Sequence, residues 1–73
     1  MATTTTIYVR LLDEGTEVFR PATAHDLGGG VFKVLPSPDY DPQDEKWEFV
    51  PGTLVRCEKR KLEDDEVLVA TKA

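Results

Sequence analysis

Hydrophobic and polar residues alternate with a period of two along most of this chain, and no helix-length window carries the i, i+3, i+4, i+7 apolar stripe of an amphipathic helix. The run TTIYVRLL, residues 5–12, shows the alternation most clearly, with Ile7, Val9 and Leu11 on one face. Successive side chains of a strand point to opposite faces, so this run predicts a strand with one buried face. Residues 1–4, which precede it, are expected to be frayed.

The same alternation predicts five more extended segments, which are EVFRPATA (17–24), GVFKVL (30–35), WEFV (47–50), LVRCEKRKL (54–62) and EVLVATK (66–72). Turn residues separate them, above all the GGG run and the pair Pro51 and Gly52, which suits a type II turn. Pro21 donates no backbone hydrogen bond, so the second segment is predicted to be an edge strand or to be bulged there. An alternative for residues 22–27 is a single helical turn ended by Gly28.

Five or six short strands with turns roughly every eight to twelve residues are typical of a small barrel or sandwich. Closing the sheet also removes open strand edges, which otherwise invite association. We therefore predict one all-β domain over residues 1–73, a small barrel of five or six short antiparallel strands. Ile7, Val34, Phe49 and Val69 are expected inside it.

Composition limits the function more than the fold. Of 73 residues, 40% are hydrophobic and 32% charged, as in ordinary globular domains, and weak self-association is expected to supplement so small a core. No apolar run approaches the roughly 20 residues of a membrane span. The net charge of −5 disfavours a protein that coats nucleic acid, since phosphate neutralisation supplies most of that affinity. A single cysteine and the lack of an apolar leader favour a cytoplasmic location.

An aromatic residue and small residues on the second segment precede a glycine turn and an aromatic-x-valine strand: Phe19, Ala22 and Ala24 lead through GGG into FKV, and Trp47 follows the next loop. This arrangement resembles SH3-like barrels of the Tudor and Agenet kind over residues 17–57. The resemblance implies an SH3-like version of the predicted barrel. The segments LLDEGTEVFRP and WEFVPGTLVRCE also resemble small bacterial proteins of the same size, from which no function carries over.

The Tudor-like resemblance implies an aromatic cage at one end of the barrel. Its members in this sequence would be Phe19, Tyr40 and Trp47, joined by a carboxylate such as Asp41 or Glu48. Such cages capture alkylated ammonium groups through cation–π attraction.

The segment PSPDYDPQDE, residues 36–45, holds three prolines and four carboxylates and is predicted to be a solvated acidic loop. Tyr40 lies inside it, flanked by Asp39 and Asp41. This tyrosine is either folded back over the end of the barrel or offered to a partner, and both alternatives stay open. With Asp44, these residues are candidates for partner contact.

Trp47 and Phe49 are two residues apart on one face of the predicted WEFV strand, and the simplest interpretation is that both fill the core. The alternative places Trp47 at the rim as a contact platform. The indole N–H needs a hydrogen-bond partner in either position.

A basic run occupies the fifth segment, with the side chains of Arg56, Lys59, Arg60 and Lys61. On a strand, residues 56 and 60 point to one side and residues 59 and 61 to the other, so the run cannot form one continuous basic face. Edge-strand lysines that deter aggregation explain it most simply. Nucleic-acid contact through this run is not expected, and stacking on RNA bases would need Tyr8 or Phe19 beside it.

Metal and cofactor chemistry find little support in the sequence. His25 and Cys57 are the single residues of their kinds, which excludes a zinc site, and the loop after Asp39 lacks the glycine and glutamate of a calcium-binding EF-hand. No phosphate-binding glycine motif is present, and a Cys-His nucleophilic pair would lack an orienting third group. We expect no cofactor, no metal and no enzymatic activity.

Three functions therefore remain as hypotheses. The first is a non-catalytic cytoplasmic binding module that docks a protein partner through the acidic loop and the neighbouring aromatics. The second is an acidic inhibitor whose carboxylates imitate nucleic-acid phosphates. The third is a weak nucleic-acid binder that uses the basic run.

Overall fold

A computed structural model of the chain describes residues 3–12, 15, 17–36, 40–41, 43–62 and 64–73. Within them, five strands form a closed barrel, namely β1 (Thr3–Arg10), β2 (Phe19–Gly28), β3 (Val31–Val34), β4 (Leu54–Leu62) and β5 (Asp65–Lys72). The described part of the chain contains no helix. The predicted small all-β barrel is confirmed, and its five-stranded closed form is consistent with an SH3-like barrel.

The barrel closes in strand order, so each strand pairs with its neighbours in the chain and β1 meets β5. The four ladders between successive strands are antiparallel, as predicted. The closing contact is parallel and joins Tyr8 to Val69. β1 is therefore hydrogen-bonded on both sides, which removes the free edge that an open sheet would leave there.

The first strand begins earlier than the alternation predicts. Thr3 and Thr4 pair with Asp26 and His25 of β2, so the expected fraying of these two threonines is wrong. Residues 1 and 2 lie outside the described residues. Thr3 and Thr4 are ordered in β1 because the long β2 strand gives the threonine run a continuous antiparallel partner.

β2 continues as a strand through residues 22–27, and the alternative of a helical turn is therefore wrong. A register shift between Asp26 and Gly28 marks a β-bulge, and the three glycines of the following turn all have positive φ angles, between 64° and 86°. Pro21 pairs with Tyr8 of β1, in a part of β2 that has no β3 residue on its other side. The prediction of an edge strand or of a bulge at Pro21 is therefore wrong for β2, which pairs with β1 and β3 and has its bulge between Asp26 and Gly28. Proline is tolerated at position 21 because that part of β2 has no β3 partner that needs its missing N–H.

The segment WEFV does not form a strand, which corrects the prediction of a strand at 47–50. Only Trp47 pairs, through an isolated antiparallel bridge to Leu11, and the Glu48 amide donates to the Arg10 carbonyl at 2.9 Å. The chain then turns at Pro51 and Gly52, where φ of the glycine is +93° and Thr53 N donates to Val50 O. The predicted Pro-Gly turn is confirmed. Because this turn begins only four residues after Trp47, the segment between them forms a single β-bridge and not a longer strand pairing.

Small and β-branched side chains fill the barrel. Ile7, Val9, Val34 and Val55 are fully buried, with alanines of β2 and β5 packed among them. Of the four residues expected inside, Ile7, Val34 and Val69 are buried, although Val69 lies under a groove lined by Phe19, Phe49 and Arg60 and not in the central cluster. Phe49 is only half-buried and packs against the cluster from outside.

Shortening Ile7 to alanine should destabilise the barrel by about 2–5 kcal/mol, because the side chain is fully buried and its removal leaves a cavity. Ile7→Val removes one methylene and should cost about 0.5–1.5 kcal/mol. Urea unfolding, followed by Trp47 fluorescence, measures both changes.

Leu54→Ala is the control for this experiment. Leu54 is 51% exposed, so its truncation should change the free energy of unfolding by about 0.5 kcal/mol or less. Equal losses at positions 7 and 54 would contradict the assigned core.

Candidate functional site

The Trp47 side chain closes one end of the barrel. It is 5% exposed and belongs to the central cluster, next to Leu11 at the end of β1. The ring of Tyr40 packs on it, with the centroids 4.6 Å apart and the planes tilted by 58°. The structure thus places Trp47 in the core. Tyr40 packs on the indole and is half-buried, so the contact of its ring with a partner stays a prediction.

Glu45 connects this aromatic pair to β2. Its Oε1 accepts a hydrogen bond from the Trp47 indole N–H at 3.2 Å, and its Oε2 accepts one from Arg20 Nε at 2.5 Å. Arg20 reaches this position because it shares a strand face with Ala22 and Ala24, which point into the core. We call Arg20, Tyr40, Glu45 and Trp47 the aromatic end of the barrel.

Backbone contacts of Asp41 shape the loop that carries Tyr40. The Asp41 carboxylate accepts a hydrogen bond from Gln43 N at 2.9 Å, and its carbonyl accepts bonds from the amides of Asp44 and Glu45. This turn brings Glu45 and Tyr40 to the same indole. The side chains of Asp41 and Asp44 are exposed beside the ring-bearing loop, whereas Asp39 lies outside the described residues.

Sequence reasoning missed Glu45 and Arg20 as members of this end. Glu45 stands two residues before Trp47, a spacing that many loop carboxylates share, so the sequence carried only a weak signal for it. Arg20 is separated from Glu45 by 25 residues, and only the fold brings the two together.

Phe19, the third predicted aromatic, lies elsewhere. It precedes Arg20 on β2 and therefore points to the opposite face, where the guanidinium of Arg60 sits 5.8 Å from its ring centre. Tyr8, Leu62 and Val67 line the same open groove, which has a volume of about 610 Å³. The structure brings Tyr40 and Trp47 together but does not place Phe19 with them, so the three aromatics do not form the cage that the resemblance implies.

Glu48 does not join the aromatic end either. Its backbone is bonded to β1, and its exposed side chain lines a smaller groove with Arg10, Phe49 and Lys72. The carboxylate that contacts Trp47 is that of Glu45.

The basic run is divided between two faces of β4, as predicted. Lys59 forms a long ion pair with Glu66 at 3.9 Å, and Arg60 forms one with Glu17 at 3.8 Å. Phe19 does lie beside Arg60, which meets the condition set for base stacking. However, the guanidinium of Arg60 already stands over that ring.

Cys57 is half-buried on the inner side of β4. Burial raises the pKa of its thiol above the ordinary value, so the thiol stays protonated at neutral pH and is a poor nucleophile. Among the described residues, no group of three or more His, Cys, Asp or Glu side chains is placed to hold a metal ion. No helix in the described parts of the chain is long and apolar enough to span a bilayer.

Comparisons of this chain with protein-family models, curated proteins and solved structures found no match. The resemblance to Tudor and Agenet barrels therefore stays a prediction. Any function has to be argued from the geometry of the barrel itself.

Replacing Glu45 tests how the aromatic end is held. Glu45→Ala removes the acceptor for the buried indole N–H and should cost about 1–3 kcal/mol of unfolding free energy. Glu45→Gln keeps an oxygen acceptor and loses only the charge attraction to Arg20, which is 56% exposed, so it should cost about 1 kcal/mol or less.

Urea unfolding of the two variants gives the comparison, and Arg20→Gln serves as the matched control. Arg20→Gln removes the same ion pair by changing the other partner, so its loss of unfolding free energy should be similar to that of Glu45→Gln. The assigned role of Glu45 fails if glutamine proves as damaging as alanine at this position.

Proposed function

We propose that this protein is a non-catalytic cytoplasmic binding module that docks a basic protein segment at its aromatic end. The observation that carries the proposal is the placement of Tyr40, whose ring is held against Trp47 and is only half-buried, so that part of it faces solvent. Tyrosine is enriched in protein interfaces, where a rigid amphipathic ring contributes contact area at small entropic cost.

The charges around Tyr40 support a basic partner. Asp41 and Asp44 are exposed on the same loop, and the whole chain carries a net charge of −5. Complementary charge accelerates the encounter of two proteins and selects among partners, while the buried ring supplies most of the affinity.

Nucleic-acid mimicry fits the same loop less well. Glu45 is already engaged by Arg20 and by the indole, so one of the four carboxylates of the 36–45 loop is directed inward. A nucleic-acid mimic depends on the number and spacing of its charges and does not need an aromatic ring. Tyr40 should therefore matter for docking of a protein partner and not for mimicry.

A display library of short basic peptides, selected on the wild-type barrel, tests the proposal. Selected peptides should quench or shift the emission of Trp47, which is the single tryptophan of the chain, because they contact the ring that packs on it. Tyr40→Ala should weaken their binding at least tenfold, the loss of a hot spot worth about 1.4 kcal/mol or more. Tyr40→Phe should retain most of it.

Asp44→Asn removes charge without removing side-chain volume and should mainly slow association at low salt. Asp64→Asn, at the distant turn between β4 and β5, is the control of equal charge and should change little. If no peptide is selected, or if Tyr40→Ala binds as well as the wild type, the proposed docking site is wrong. Loss of binding on charge removal alone would favour the mimic.

A further inference from the structure

The second half of β4 has a partner on one side only. β5 pairs with β4 from Val55 to Leu62, but β3 covers only three positions, the last of which pairs Val31 with Arg56. β3 begins at Val31 because the glycine turn directly before it reverses the chain. Residues 57–62 therefore present an open strand edge in the described structure.

The direction of the backbone groups along this edge follows from the β3 pairing. Val34 donates to Thr53 O and accepts from Gly52 N, so Val34 directs its backbone toward the β4 side. By alternation Phe32 does the same, and Phe32 faces Val55. Counting in twos from Val55, residues 57, 59 and 61 direct their N–H and C=O groups away from β5, toward the open edge.

Positive charge is concentrated on this edge. Three of the nine lysine and arginine residues of the chain lie within the open edge, residues 57–62, together with one glutamate, in a protein whose net charge is −5, and Arg56 lies directly beside it. Lys59 is 75% exposed, and the long ion pairs of Lys59 and Arg60 are exposed contacts that contribute little. The edge is therefore available to an incoming negative charge.

A second copy of the chain fits this edge less well than an acidic strand does. Because residues 57, 59 and 61 carry the outward backbone groups, antiparallel self-pairing must set odd residues opposite odd residues. The two-fold axis then passes through Glu58, Lys59 or Arg60, and that residue faces its own copy. An axis at Lys59 also sets Glu58 opposite Arg60, but every register keeps at least one pair of like charges directly opposite each other, which destabilises a sheet.

The division of charge between two faces points to the occupant. Lys59 and Lys61 lie on one face of β4, and Arg56 and Arg60 on the other. A nucleic-acid backbone would need one continuous basic face, whereas a strand added at the edge projects its own side chains to both faces and meets positive charge on each. We propose that the β4 edge, residues 57–62, binds an extended acidic peptide segment by β-strand addition.

The probe is a synthetic ten-residue peptide of glutamate, threonine and valine, with glutamates on both faces of the extended chain. Two analogues accompany it, one with glutamine for glutamate and one with alternate backbone amides N-methylated. We expect the parent peptide to protect the amides of residues 57, 59 and 61 from hydrogen exchange. The glutamine analogue should bind at least tenfold more weakly, and the N-methylated analogue should not bind.

Variants of the protein test the same edge. Lys59→Gln should weaken binding several-fold through charge, and Lys59→Pro should abolish it, because proline lacks the N–H that faces the edge while the bonds to β5 remain. Lys33→Gln, an equal charge change on the exposed face of β3, is the control and should leave affinity unchanged. Trp47 emission reports whether each variant is folded, and should Lys59→Pro not fold, the N-methylated peptide provides the same test.

Three results would overturn the proposal. The first is equal binding of the parent peptide and either analogue. The second is protection of amides at the aromatic end in place of the β4 edge. The third is retardation of single-stranded RNA or DNA by the wild-type protein, lost in Lys59→Gln, with no binding of the acidic peptide, which would assign the edge to nucleic acid.

Discussion

Burial of the Trp47 indole is the contact on which the rest of this barrel depends. Apart from Leu11, the other side chains of the central cluster are alanine, valine and isoleucine, so Trp47 is the one aromatic side chain in it among the described residues. Trp47 closes one end of the barrel, and its bridge to Leu11 fixes the chain between β3 and β4 to the end of β1. Because Tyr40 and Glu45 both contact the indole, the loop that carries the exposed acids takes its position from the same residue.

Strand length, set by glycine and proline, decides which surfaces remain open. The glycine turn limits β3 to four residues, so β4 extends beyond the end of β3 and exposes a backbone edge. On β2, the corresponding unpaired stretch contains Pro21, which offers no N–H to an incoming strand. Two stretches without a β3 partner thus differ in chemistry: one is blocked by proline, and the other carries backbone donors among basic side chains.

Acidic and basic side chains are concentrated on two different surfaces of the barrel. Tyr40, Asp41, Asp44 and Glu45 of the acidic loop lie at the aromatic end, and three of the nine basic residues of the chain lie along the open part of β4. The two surfaces would attract partners of opposite charge, and neither requires a cavity or a catalytic group. A small barrel can carry two such sites because the core needs only one face of each strand.

Alternation in the sequence was sufficient to predict the all-β class, the bounds of β4, the two turns built on glycine and the burial of Ile7 and Val34, because a period of two and positive φ are local properties of the chain. It was insufficient for Trp47 and Phe49, which share a predicted face but separate when the strand fails to form. The pairing of Arg20 with Glu45, the contact of Phe19 with Arg60 and the open edge of β4 depend on which strands meet and where each one ends. Only the closed barrel decides these, because they join residues that are distant in the chain and whose neighbours no local pattern specifies.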